Sequence, residues 1–529
     1  MRIAIVEMCI EDEKKRSDAY LYKNTSFKLF ENISTPLIKD RIRRIAAELP
    51  NLLKDDRTED VTRMSKVLSL YEEGVSQLAQ FLEIYVTELG SDALEQICDA
   101  AKEKPIVFVD AIIEVMSKCE KLLSEVFDKK LVFKRAIEKG YEQFMNKNAV
   151  IQTAGLVPQL LAKSADFILR KRNTFHTFEE YSQEVELYEK LTHIVTVLRL
   201  IEDKDTFLEF YKNRLARRLI FNQSASLEAE DEVIGHLRGH CGFDYTFKIT
   251  TMLKDARQNR DLKNIFSNWL KARRNQPKDL LDEVKFSVMV LHSQAWPISK
   301  QEEVHLPVEL EQCVRVYTKF YREHRPGTKL GWCFQVSHGD IVPLYTKRRF
   351  SFEVSTYQIA ILMLFNNANC YTVRQITQLT NVEEYQVIQI LNYFLQKRIL
   401  MVTESDGSEE QLTQQQVGLS GSITSIPTLT EDTLITLYFN YTNKNTRIYL
   451  HFLSKSEEKA ETQKAMACIE SDRKDIIGAC IVRILKTRKR LSLQELWEEV
   501  RKQLASHFNP SLPQLKAYYK SMHILSEVS

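Results

Sequence analysis

Between Val61 and Leu89 the apolar residues return at steps of mostly three and four: Met64, Val67, Leu68, Tyr71, Val75, Leu78, Phe81, Leu82, Tyr85 and Leu89. That spacing puts one apolar face on a long amphipathic helix. The stretch "ELYEKLTHIVTVLRLIEDKDTFLEFYKNRLARRLI" repeats the pattern as a second long helix pair. From Met1 to about Asn275 the texture is helical, which predicts a helical bundle or stacked-helix rod.

After the polar break "RRNQPKDLLDE" the pattern changes. "VKFSVMVL" (Val284 to Leu291) alternates in part and is rich in β-branched residues, so it predicts a strand. "GWCFQVSHGDIVPLY" predicts a hairpin turning near His338, Gly339 and Asp340, and "RFSFEVST" a further strand. In "YTVRQITQLTNVEEYQVIQILNYFLQKRILMVTE" two helices flank a turn at Asn381 and the apolar strand Ile399 to Val402 follows. That is a helix-turn-helix with a wing strand. A Ser/Thr/Gln-rich loop with few large apolar residues comes next and predicts disorder. "LITLYFNYTNKNTRIYLHFLS" predicts a second hairpin, turning at Asn443, Lys444 and Asn445. Lys455 to Gln463 reads as a charged linker, and a last helical unit begins near Ser471. Ser492 with Glu495, and Ser511 with Gln514, form capping boxes, and Leu491 can staple onto Leu496. Three short helices suggest a second winged-helix module, with only "HILSEVS" left for its wing.

Composition narrows this picture. The 529 residues include only 14 glycines and 12 prolines, which favours long helices over loops and sheets. The net charge of +2 provides no global field toward nucleic acid or membrane. Nine cysteines without CxxC spacing suit a reducing compartment. The start is too short and too acidic for a signal peptide, and the longest apolar run, "IAILMLF", is too short to cross a bilayer. These features predict a cytoplasmic or nuclear protein with no membrane contact. His236 and His240 lie four apart beside Cys241, but no fourth ligand stands at standard spacing, and Gly239 and Gly242 point to a helix end instead. No metal or other cofactor is expected. No Ser-His-Asp or phosphate-loop pattern appears, which argues against a self-contained enzyme.

"IVRILKTRKR" (Ile481 to Arg490) holds five positive charges in ten residues. On a helical layout, Ile477, Ile481, Ile484 and Leu485 share one face, and Lys486 lies opposite Ile477. Arg483 and Arg490 flank it, with Lys489 at the edge. Taken alone, this outward lysine fits a solvated basic face, a DNA-binding winged helix or a modification site.

The ordered motifs bear on that choice. "NKNAVIQTAGLVPQLLAKSADFILRKR" (with Gln159 where Glu is usual), "IEDKDTFLEFYKNRLARRLIFNQSAS", "HCGFDYTFKITTMLKD", "LHSQAWP", "STYQIAILMLFNN" and "IESDRKDIIGACIVRILKTRK" follow one another as in the cullins. The chain resembles this family, and within it the cullins that scaffold F-box-type and elongin-type ubiquitin ligases. The resemblance implies a mainly α fold: a remnant of the N-terminal cullin-repeat rod (1–145), a four-helix bundle (146–275), an α/β region (280–370) and a first winged-helix module (371–403). A polar flexible loop (404–433), a β-hairpin completing the α/β region (434–455) and a C-terminal winged-helix module (468–529) complete it.

The resemblance also implies a non-catalytic scaffold. It would bind a RING-box protein, whose strand joins the α/β sheet at Val284 to Leu291 or around Cys333 to Val336, and through it a ubiquitin-conjugating enzyme. Lys486 falls on the family's acceptor of a ubiquitin-like modifier, with Leu485 where Met is usual. Attack on a thioester needs the neutral amine of a lysine that is mostly protonated at neutral pH. Nearby Arg483, Lys489 and Arg490 should favour that form. Lys212, Arg214, Arg217 and Arg218 resemble part of a basic surface that steers an acidic conjugating-enzyme tail; read from charge alone they are a solvated bundle face.

The resemblance starts near Ile10, in the later part of the family's rod. It therefore implies no adaptor binding through the usual surface. "LKAYYKSMHILSEVS" lacks the family's closing wing, so the second winged helix is expected to be incomplete. Two alternatives stand beside the scaffold: an adaptor-less cullin that sequesters RING-box protein, and a winged-helix DNA binder, which the near-zero net charge disfavours.

Overall fold

The computed structural model describes residues 2–22, 25, 38–146, 155–171, 180–272, 284–298, 303–346, 348–403, 429–450, 455–488, 491–505, 507–516 and 518. Eighteen α-helices and six short strands are found among them, so the chain is mainly α with a small α/β region, as expected. It forms two compact units, 1–253 with 464–529, and 254–463.

The first unit opens with α1 (Arg2–Tyr20), α2 (Ile42–Ala46), α3 (Leu49–Lys54) and α4 (Thr58–Leu68). It continues through α5 (Glu72–Glu103), α6 (Ile106–Glu125), α7 (Leu131–Asn146), α8 (Leu156–Leu169), α9 (Glu180–Leu200), α10 (Lys204–Ile220) and α11 (Leu227–Cys241). The single long helix expected from Met64 to Leu89 is two. Tyr71 is extended (φ −126°, ψ 135°) and starts α5, with Glu72 and Glu73 in its first turn where the helix dipole favours acids. Met64, Val67 and Leu68 before the corner and Leu78, Leu82 and Tyr85 after it are all buried, so the three-four spacing continues through the corner. α5 and α7 cross closely: a Cβ on Gly90 would lie 2.3 Å from the Phe144 ring. α12 (Phe243–Ala272) begins here and continues into the second unit.

The second unit holds α13 (Val308–His324), β1 (His338–Ile341), β2 (Ser351–Ser355), α14 (Thr356–Leu364), β3 (Cys370–Thr372), α15 (Val373–Thr380) and α16 (Glu384–Gln396). β4 (Leu400–Thr403), β5 (Leu434–Leu437) and β6 (Arg447–Tyr449) complete two three-stranded sheets, ordered β1-β2-β6 and β3-β5-β4. The helix-turn-helix forms as expected. Thr372 and Gln375 make a capping box at the start of α15, and Asn381 closes that helix at φ 53°. Phe352, Val354, Ile361, Leu391, Phe394 and Ile435 belong to one hydrophobic core that spans both sheets.

Four local expectations are corrected. His338, Gly339 and Asp340 are not a turn but lie in β1, paired antiparallel with β2, while Phe334–Val336 is a turn of 3-10 helix. β5 and β6 are not a hairpin: β5 joins the wing sheet with β3 and β4, and β6 runs parallel to β2. Lys455 to Gln463 is not a linker but the start of α17 (Lys455–Arg488). Val284 to Leu291 joins no sheet among the described residues. Its alternation is nonetheless genuine. Phe286, Val288 and Val290 pack on Phe266, Tyr317 and Phe320. The Asn259 side chain accepts from the Val290 amide at 2.7 Å and donates to its carbonyl at 2.8 Å. A buried face reveals the alternation, but only a neighbouring backbone makes a strand. Most of the Ser/Thr/Gln-rich loop, residues 404–428, lies outside the described residues, as does the wing segment from 519 onward.

Candidate functional site

The last part of α17 and α18 (Leu493–Leu504) build a small module around Lys486. Ile477, Cys480, Ile481 and Ile484 pack with Leu496, Val500, Leu504, Phe508 and Leu515, and Leu485 is half-buried against them. Ser492 and Glu495 form the expected capping box, and Leu491 packs on the same core. Ser511 and Gln514 exchange the second pair of capping bonds. With that face filled, the helix turns Lys486 to solvent, where it is exposed. Arg483 is exposed as well, but its guanidinium donates to Gln503 Oε1 at 2.6 Å. Lys489 and Arg490 lie outside the described residues. A primary amine on a helix braced from behind is a nucleophile for an electrophile that another protein delivers.

Sequence reasoning missed how this module is fastened to the bundle. Arg473 of α17 donates to Asp205 Oδ2 at 2.5 Å and Oδ1 at 2.7 Å, to Asp203 Oδ1 at 2.8 Å and to Thr206 Oγ1 at 3.2 Å. Burial works against this guanidinium's charge, but the two aspartates more than offset it and hold its pKa above the ordinary value. The His507 carbonyl accepts from the Lys204 amide at 3.0 Å, and Asn509 donates to Glu202 at 3.1 Å. The His507 ring stacks on Tyr245 at 3.7 Å. "IEDKDTF" carries these acceptors in its first residues, but their partners stand 268 and 270 residues away. Spacing alone could not pair them.

His507 makes this junction sensitive to pH. Its Nδ1 is buried without a hydrogen-bond partner among the described residues. Burial first, and Lys204 after it, lower the imidazole pKa, against the pull of Asp205 and Asp244. A detached His507 therefore takes up a proton at a pH where the docked one does not. Docking is at full strength above the ordinary imidazole pKa and weakens as pH falls below it, until the docked ring is protonated as well. Protection factors across Leu493–Leu504, measured against the intrinsic exchange rate at each pH, are expected to fall on acidification and to lose most of that response in His507→Phe, which keeps a ring on Tyr245. An equal acid response in the variant would acquit His507.

The basic segment of α10 departs from the expected surface. Arg218 is fully buried and Lys212 nearly so, tied to Glu209 at 2.5 Å. Arg218 donates to Glu230 Oε1 and Oε2, both at 2.9 Å, and to Asp166 Oδ1 at 2.7 Å. Arg214 reaches Asp166 at 3.3 Å. Of the four, Arg214 and Arg217 keep partial exposure. Arg218 is thus a core group, because it lies seven residues after the buried Tyr211 on the inward face of α10. On α11, His236 is exposed and Cys241 buried, and among the described residues no group of three or more His, Cys, Asp or Glu side chains could hold a metal ion. Gly242, at φ 84°, ends that helix.

Long packed helices, a helix-turn-helix with its wing, and a fastened module that exposes Lys486 define a helix-dominated, multi-module protein. Three family models match it in order: the cullin alpha solenoid domain over residues 3–263, the cullin alpha+beta domain over 290–417 and the cullin protein neddylation domain over 472–522. Cullin-1 of Dictyostelium discoideum is 30% identical over 529 residues, covering 99% of this chain and 65% of its own length. Cullin-1 of Caenorhabditis elegans is 30% identical over 521 residues, with 97% and 63% covered. Cullin-1 of Schizosaccharomyces pombe is 28% identical, with 96% and 63% covered. The chain belongs to the cullin family. It spans just under two thirds of the length of these relatives. No helix among the described residues is long and apolar enough to cross a membrane.

Proposed function

We propose that this chain is a non-catalytic scaffold of a cullin-RING ubiquitin ligase. It binds a RING-box protein, through it a ubiquitin-conjugating enzyme, and accepts a ubiquitin-like modifier on Lys486, in support of ubiquitin-dependent protein catabolism. The observation that carries this reading is the position of Lys486. It lies within the matched neddylation domain, exposed on a helix whose opposite face is the module's core. The neutral Nζ attacks the modifier's thioester carbonyl, the conjugating enzyme's thiolate leaves, and the amine gives up a proton as the isopeptide bond forms. The chain supplies the acceptor and the conjugating machinery the catalysis.

The RING-box partner is seated at Val284 to Leu291. Val290 turns its backbone groups to Asn259, and the His292 amide turns to Asp255 at 2.8 Å. By the two-residue repeat of extended chain, Ser287 and Met289 present theirs to the opposite edge. A strand added there would bond to those groups. The test is co-expression with a RING-box protein. Wild type should co-purify with it. Met289→Pro, which removes one edge donor, should lose the complex while keeping its circular dichroism. Undiminished recovery with the variant would reject that edge.

The DNA-binding alternative receives no support from α16, the second helix of the helix-turn-helix. Glu383 and Glu384 stand exposed at its start, where a phosphate backbone would meet like charge.

A further inference from the structure

We propose that Gln503 and Glu499 of α18 are positioning residues for Lys486: through the two arginines that flank the lysine they clamp the last turn of α17, and they leave its amine free. The inference rests on the reading of Lys486 as the acceptor. Lys486 lies in the last turn of α17, which ends at Arg488, and α18 begins at Leu493. The final carbonyls of a helix have no intrahelical partner, so such turns fray. A nucleophile standing there holds its attack geometry only if something outside the helix holds the turn.

Two links cross from α18. Gln503 Oε1 accepts from the Arg483 guanidinium at 2.6 Å, and the Cys480 thiol lies 3.4 Å from the same oxygen. Cys480 is buried, so the Gln503 carbonyl is seated against the core of the module. The Gln503 amide donates in turn to Glu499 Oε1 at 3.1 Å. The second carboxylate oxygen of Glu499, a half-buried residue, lies 3.8 Å from Arg488. Arg483, Gln503, Glu499 and Arg488 thus form one polar chain that grips α17 before and after Lys486. Lys486 itself makes no hydrogen bond or ion pair among the described residues. The division suits the chemistry. A guanidinium does not give up its proton and its planar fork is suited to holding, whereas an acceptor amine must be unpaired to lose a proton and attack. A purely stabilising role fits less well. Arg483, Gln503 and Arg488 are exposed, and exposed pairs contribute little to global stability. The apolar contacts of Ile477, Ile481 and Ile484 supply that stability, and the polar chain acts on one turn.

The test uses the full chain with a RING-box protein, the modifier and its activating and conjugating enzymes. Gln503→Ala removes the central link and changes no charge, so electrostatic steering is untouched. Its kcat for modification of Lys486 should fall about threefold to tenfold, at an unchanged KM for the modifier-loaded conjugating enzyme. Its melting temperature should not change. Protection of the Thr487 and Arg488 amides should fall while that of Ile477–Ile484 stays. Gln503→Glu, which keeps the acceptor for Arg483, should recover most of the rate, and Glu499→Gln, which weakens only the Arg488 link, should lose a smaller share. An unchanged kcat in Gln503→Ala, with the modifier mapped to Lys486, would overturn the clamp and leave the acceptor reading standing. A raised KM at unchanged kcat would make Gln503 a contact of the enzyme, and a loss of protection across the whole module would make it a folding residue; either overturns the proposal. A modifier mapped to another lysine in wild type would overturn the acceptor reading and the clamp together.

Discussion

Lys486→Arg is expected to leave the protein folded and to abolish its conjugation to the ubiquitin-like modifier. The wild-type chain, mixed with a RING-box protein, the modifier and its activating and conjugating enzymes, should gain the mass of one modifier. The variant should stay at its unmodified mass. Arginine keeps the positive charge and nearly the same length, so an effect on electrostatic steering alone would be small. What it removes is the nucleophile, because a guanidinium stays protonated at any pH the protein tolerates. The expected folding neutrality follows from position. Lys486 is exposed, while Ile477, Cys480, Ile481 and Ile484 supply the packing. Lys474, exposed on the same helix, provides the control. Lys474→Arg should conjugate like wild type. A modifier that persists on Lys486→Arg would move the acceptor elsewhere, and peptide mapping would show where.

The sequence made some of this legible and hid the rest for physical reasons. The layout of α17 needed only its own residues, and three of the four positions it turned inward are fully buried in the structure. The capping boxes at Ser492 and Ser511 were equally local. Strand partners were not. β6 pairs with β2 from nearly a hundred residues upstream, and nothing in "NTRIYLHF" distinguishes that from pairing with the nearer β5. Arg218 shows the same limit for charge. Its register on α10 was readable, but its partners lie 12 and 52 residues away, so a buried ion network looked like a basic surface. The junction at Arg473 and His507 is longer-ranged still.

That buried network sets the second large expectation: Arg218→Met should destabilise the chain by about 3–5 kcal/mol. Both Arg218 and Glu230 are 0% exposed, and Asp166 is 5% exposed. Removing the guanidinium leaves two carboxylates in the core. Glu230 keeps hydrogen bonds from Tyr211 at 3.0 Å and Ser224 at 2.9 Å, and Asp166 keeps Arg170 and Arg214 at 3.0 and 3.3 Å. Those bonds soften the loss but cannot replace a fork that reaches Glu230 twice and Asp166 once. Arg218→Lys should recover only part of it, since one ammonium cannot reproduce that planar geometry. For a unit of this size the Met variant should melt roughly 10 °C lower, at about 2–4 °C per kcal/mol. Urea unfolding should show a lower midpoint at an unchanged slope. Replacing Asp166 and Glu230 with their amides in the same chain should return much of the stability, because the charges left behind carry most of the cost. A loss below about 1 kcal/mol for Arg218→Met would mean that water reaches the site and that the network is not sealed. The consequence would extend to the module. α10 carries Arg218 near its end and Asp205 and Thr206, the acceptors of Arg473, in its first turn. A loosened α10 should therefore release the Lys486 module, and amide exchange in Leu493–Leu504 should rise along with that of α10.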